Sequence, residues 1–214
     1  MANMEDLLHG IKEFQKNLDK NLDHQDIDDF RILLNDSVDR EYQRLKELSK
    51  SVSKDNAQYL DYLEGKRESA VFISFLGDEL SILALYKKVE IQTLRIIKSH
   101  IPLLLKDGKN KRTPYYDFLK NRVKTKLPSF AIENISCYDA FNELRLLNNS
   151  IKHDGLVSED LSQSYPEWGK AGAELKGFGD AYIRLLPEIK IFVSDLVETV
   201  YAPSVPPNNK EKTN

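Results

Sequence analysis

The chain has 214 residues with one cysteine, 41% hydrophobic and 30% charged residues, and a net charge of −3. That length buries a sizeable core without disulfide or metal staples, and one cysteine excludes an intramolecular disulfide framework and any multi-thiolate zinc site. No run of about 18 consecutive apolar residues occurs, and the acidic, amphipathic start MANMEDLLHGIKEF lacks the basic-then-apolar order of a secretory signal. The expectation is therefore a single all-α domain over residues 1–201 in the cytoplasm, without a membrane, followed by a disordered tail over 202–214.

Apolar residues recur at three and four positions along most of the chain, which predicts helices nearly throughout. The first runs from about Met4 to Leu22. The second follows Gln25, opens on Asp26, Asp28 and Asp29, and continues through Phe30, Leu33, Leu34, Val38, Tyr42, Leu45 and Leu48; acids suit the positive end of the helix dipole. After a break near Ser51 to Asn56, a stretch with Tyr59, Tyr62 and Leu63 leads into a long apolar helix from Arg67 to His100, limited by Pro102. Lys106 to Thr113 reads as an exposed polar loop, and Thr113-Pro114 as the cap and first-position proline of a helix reaching about Leu127.

Residues 87 to 126 hold twelve Lys/Arg against three acids, a local +9 that leaves −12 for the remainder. Such a block meets a polyanion or forms a solvated lysine-rich face. Tyr115, Tyr116 and Phe118 stand among these cations, where helical spacing favours a core role over base stacking.

Ser136 is a candidate cap for the next helix, with Asp139 in a capping-box relation, and Gly155 is its natural stop. Cys137 reads as a small apolar filler. This helix carries the chemistry. With Arg145 at zero on a wheel of about 100° per residue, Asn149 lies at about 40°, Asn142 at about 60°, His153 at about 80° and Lys152 at about −20°. Ala140, Leu144, Leu147 and Ile151 form an apolar stripe opposite, so the polar groups are expected to face outward side by side. Leu146, on the polar face, points to a contact beyond the subunit. A loop with Trp168 follows, then a helix from about Gly179 to Tyr201 that Pro187 kinks or divides.

A histidine titrating near neutrality moves protons, and an arginine forks onto phosphate oxygens; together they suit metal-free phosphodiester chemistry. No carboxylate cluster or second nearby histidine supports a metal, and no cofactor is expected. His153 alternatively caps the carbonyl end of its helix, and Arg145 alternatively pairs with Glu143 at the surface.

The pattern Arg145, Asn148 or Asn149, Lys152, His153 resembles the HEPN superfamily (higher eukaryote and prokaryote nucleotide-binding), with Tyr86-Lys-Lys-Val-Glu90 similar to its acid-bearing helix. Seven residues separate Arg145 from His153, a longer interval than the family commonly shows, and Leu146 stands where a polar residue often does. The resemblance implies a bundle of long antiparallel helices that homodimerises so that two motif copies line one cleft. It also implies a metal-independent endoribonuclease of toxin or phage-defence type. Arg145, His153 and Asn149 would then be catalytic, and Asn148, Lys152, Asn142 and Glu90 would bind the RNA. The alternative is a non-catalytic helical module that senses a nucleotide or regulates a partner protein such as a toxin or antitoxin.

Overall fold

The computed structural model describes residues 4–53, 55–100, 114–125 and 127–202. Pro102, the 106–113 loop, five of the twelve basic-block cations and the 203–214 tail lie outside the described residues. The fold is all-α, with helices α1 (Met4–Lys20), α2 (Gln25–Ser51), α3 (Ala57–His100), α4 (Tyr115–Asp117), α5 (Tyr138–His153), α6 (Glu159–Ser164) and α7 (Phe178–Tyr201). Two compact units emerge. The first comprises the described residues of Met1–Leu22, Glu90–Tyr138 and Lys190–Asn214, and the second those of Asp23–Val89 and Asp139–Ile189.

In the first unit, Ile96, Ile97, Phe192, Val193, Leu196 and Val197 are fully buried. α1 joins this core unusually, because its inward residues are polar. Asp19 is 3% exposed; it accepts from Tyr201 Oη at 2.7 Å, from Arg95 at 3.1 Å and from Gln15 at 3.1 Å. Lys16 and Lys20 both pair with Glu198, which holds that carboxyl below its usual range. Beyond α3, the predicted helix to Leu127 is wound three ways: α at 115–117, π over Phe118–Arg122 and 3-10 over Val123–Thr125. Pro114 is its N-cap rather than its first helical residue. Tyr115, Leu119 and Val123 are all buried, four residues apart as on one face of a helix. Tyr115 donates to or accepts from Thr93 within this core.

In the second unit, Ile82, Leu85, Phe141, Leu144, Leu147 and Leu185 are fully buried. α2 and α3 approach closely at Gly77, where a Cβ would lie 2.0 Å from Leu34 Cδ2. α7 does the same at Gly179, where a Cβ would meet the Asp78 carboxylate at 2.6 Å. One cation ties the three helices together. Arg31 donates to Asp78 Oδ1 at 3.1 Å and to the Gly179 carbonyl at 3.4 Å, and sits 4.4 Å from the centre of the Tyr182 ring. Tyr182 in turn donates to Asp28 at 2.8 Å.

α3 is one continuous helix, without the join anticipated near Arg67, and a stretch of it with mean hydropathy 1.5 is long and apolar enough to cross a membrane. A third of that stretch is buried in the fold. α7 likewise runs unbroken through Pro187.

Candidate functional site

The motif helix starts and stops by backbone geometry. Ser136 does not cap it: its N–H donates to Asp195 at 2.7 Å, and Cys137 turns the chain into the helix with φ of 56°, a left-handed conformation rare for a side chain with a Cβ. At the other end Gly155 adopts φ of 67° and donates to the Ser150 carbonyl at 3.0 Å, the expected left-handed stop. The chain then folds back along α5. Val157 donates to the Ala173 carbonyl and Gly172 to that of Val157, both at 2.8 Å, beside an isolated bridge between Leu156 and Glu174.

That return segment corrects the reading of Leu146. It is 4% exposed and lies in the floor of a cleft of about 580 Å³, so its partner is this same unit and not a second subunit. Asn149, Ser150 and His153 line the cleft from α5, and Asp154, Ser158, Glu159 and Asp160 from the return segment and α6. Ser150 Oγ donates to Ser158 Oγ at 2.9 Å, and Ser158 accepts from the Leu161 N–H to cap α6. Asn149 and His153 are exposed at this edge.

The other predicted residues divide around it. Arg145 is half-buried, with Nη2 and Nε donating to Asn142 Oδ1 at 2.8 and 3.2 Å. Asn142 Nδ2 donates to the Tyr165 oxygen at 3.2 Å, and Tyr165 donates to Asp139 at 2.9 Å. Burial pushes the Tyr165 hydroxyl far above its usual range, so it remains a protonated donor at the root of this chain. Asn142 thereby orients the Arg145 guanidinium. Lys152 leans toward the Tyr86 ring, its Nζ 5.9 Å from the centroid. Asn148 is 2% exposed and faces inward; its Nδ2 donates to Asn149 Oδ1 at 3.3 Å, while its own Oδ1 has no partner among the described residues. Glu90 belongs to the first unit, whereas these α5 residues belong to the second.

Glu143 enters the sequence reading only as an alternative surface partner for Arg145. It is 3% exposed instead, and accepts from Trp168 Nε1 at 2.8 Å and from Arg184 at 2.9 and 2.5 Å. Its carboxylate raises the Arg184 pKa and anchors the Pro166–Trp168 turn and α7 to α5. The available signal was the lone tryptophan in a loop, whose indole N–H needs an acceptor when buried.

Several basic-block cations are paired: Lys88 with Asp26 at 2.7 Å, Arg95 with Asp19 at 3.1 Å and Lys120 with Glu133 at 3.1 Å. Tyr115 is buried, as its helical spacing suggested. Among the described residues no group of three or more His, Cys, Asp or Glu side chains converges to hold a metal ion. A second cleft of about 540 Å³, with Phe72, Phe75 and Arg67 in its walls, contains no motif residue. Comparisons with protein-family models, with curated proteins and with solved structures give no match.

Proposed function

We propose that this protein is an RNA-acting helical protein that cleaves phosphodiester bonds without metal, its working surface being the outer edge of α5. The observation that supports this reading is the line Arg145, Asn149, His153 at successive turns, with the arginine pre-aimed by Asn142 and the histidine open to solvent beside a cleft.

In this mechanism His153 takes the proton from a ribose 2′-hydroxyl, the freed oxygen attacks phosphorus, and the bond from phosphorus to the 5′-oxygen breaks. The departing 5′-oxygen takes up a proton, leaving a 2′,3′-cyclic phosphate and a 5′-hydroxyl. Arg145 holds the non-bridging oxygens as charge builds on them. Arg145 and His153 are about 12 Å apart along the helix axis, so in this reading they converge on one phosphate across a homodimer that presents two copies of the line.

A second reading is favoured by one observation: Asp154, Glu159 and Asp160 share the cleft with His153, which suits a protein partner better than a polyanion. In that reading the edge docks a partner protein, and Arg145→Ala alters assembly while the parent shows no cleavage. Incubating the full chain with mixed RNAs in EDTA separates the two. Degradation to cyclic-phosphate ends that His153→Ala abolishes supports the nuclease; intact RNA, or equal degradation by both proteins, rejects it.

A further inference from the structure

α1 carries its apolar residues on the outside. Met4, Leu7, Ile11, Phe14 and Leu18 are 69%, 57%, 57%, 65% and 52% exposed, and Leu8 beside them is 59% exposed. Every residue from Met4 to Gln15 is exposed. The side chains that α1 turns toward its own unit are the charged ones, Lys16, Asp19 and Lys20, held by Glu198, Arg95 and Tyr201. An isolated helix of about 12 to 15 residues is marginal in water, and its stability ordinarily comes from packing an apolar face. Here that face is presented to the surroundings.

The spacing of the face identifies what fits it. Met4, Ile11 and Leu18 are seven apart, and Leu7 and Phe14 fall three after the first two, so the five take a and d positions, with Leu8 beside them at e. Lys16, Asp19 and Lys20 then occupy f, b and c, the back of such a helix, which is the side fastened to the unit. A seam of this period matches the knobs of another helix rather than a flat surface. A lipid surface would call for a cationic polar face, but α1 has Glu5, Asp6, Glu13 and Asp19 against Lys12, Lys16 and Lys20.

The flanking e and g positions select the partner. They are Leu8, Gln15, Gly10 and Asn17, all uncharged, so an identical helix meets no like charge along the seam in either orientation. A different partner chain is commonly specified by complementary charges at those positions, and none is offered. We infer that α1 pairs with α1 of a second copy of this chain, forming a two-helix seam centred on Ile11. Pairing two copies of one face closes with two-fold symmetry and leaves no face open for further growth. The inference rests on α1 alone and stands whether or not α5 acts on RNA.

Sedimentation of the full chain tests it. The chain should run at twice its 24.7 kDa mass, and Ile11→Glu should weaken self-association at least tenfold while circular dichroism outside α1 keeps the parent melting point. In a Cys137→Ser background, Ile11→Cys should form a disulfide-linked dimer under mild oxidation and His9→Cys, on the back of the helix, should not. The inference is overturned by a parent monomer at tens of micromolar, by Ile11→Glu remaining dimeric, by equal cross-linking at both positions, or by binding of the parent to lipid vesicles in place of self-association.

Discussion

α1 and α5 are amphipathic helices of 17 and 16 residues that present opposite faces to the protein. α5 buries Phe141, Leu144 and Leu147 and shows Asn149, Lys152 and His153 to solvent; α1 buries Asp19 and shows Leu7, Ile11 and Phe14. Both sequences show the helical period of apolar residues. What distinguishes them is the use of the exposed face. On α5 that face carries an amide, an ammonium group and an imidazole, whereas on α1 it carries only apolar area, whose burial contributes about 25 cal/mol per Å² once a partner covers it.

The widest gap between the two should appear on truncating an apolar residue in each. Phe141→Ala removes a fully buried ring and should cost about 3 to 5 kcal/mol in urea unfolding. Ile11→Ala, under conditions where the chain is monomeric, should change stability by less than about 0.5 kcal/mol. Equal losses would erase the contrast.

The polar anchor of α1 comes next in size. Asp19→Ala leaves Tyr201 Oη without its acceptor and releases Arg95. Because Arg95 is 65% exposed and can rehydrate, the expected cost is about 2 kcal/mol, accompanied by loss of helical signal from α1. Retained helicity would show that α1 is held by something other than its charged back.

On α5 the matching anchor is Glu143. Glu143→Gln keeps an acceptor for Trp168 but discharges the pair with Arg184, with an expected loss of about 1 to 2 kcal/mol. Trp168 is the only tryptophan in the chain, so its fluorescence reports the turn directly. An unchanged spectrum and melting point would mean that the carboxylate does not hold it.

The smallest effect is a pH dependence shared by both regions. Tyr165 behind the α5 edge and Tyr201 behind α1 have hydroxyls pushed well above their usual 10.0, foremost by burial and then by the carboxylates that accept from them. A raised folded-state pKa means that the folded protein keeps the proton longer. That stability is fully present below pH 10 and is lost as the pH rises through the folded values. Thermal melting should therefore hold steady to about pH 10 and fall above it, and Tyr165→Phe should flatten the decline. A decline that begins at neutral pH would point to other groups.

The long helices were legible because a 3.6-residue period of apolar residues is a local property of the chain; α2 and α7 fall close to their expected bounds. The composite turn over 115–125 was not, since the spacing of Tyr115, Leu119 and Val123 is that of an ordinary α-helix and carries no sign of the π and 3-10 winding. The wheel of α5 gave the relative directions of Arg145, Asn149 and His153 but could not say what covers each direction. Leu146 and Asn149 both lie on the side expected to be open, and the return of the 155–173 segment decides that one is covered and the other exposed. Glu143 and Asp19 were illegible for the same reason: a buried carboxylate is defined by partners far along the chain, Arg184 and Trp168 for one, Tyr201 and Arg95 for the other. The outward seam of α1 is not legible in the sequence because it spans little more than two heptads, below the length at which such a repeat stands out.

The claim that the α5 edge engages RNA is tested most directly by titrating a labelled single-stranded RNA with the full chain at low salt and following fluorescence anisotropy. Arg145→Ala should weaken binding at least tenfold, whereas His153→Ala should bind nearly as the parent does while leaving the RNA intact. Parent-like binding by Arg145→Ala, or no binding by the parent at all, would contradict the account.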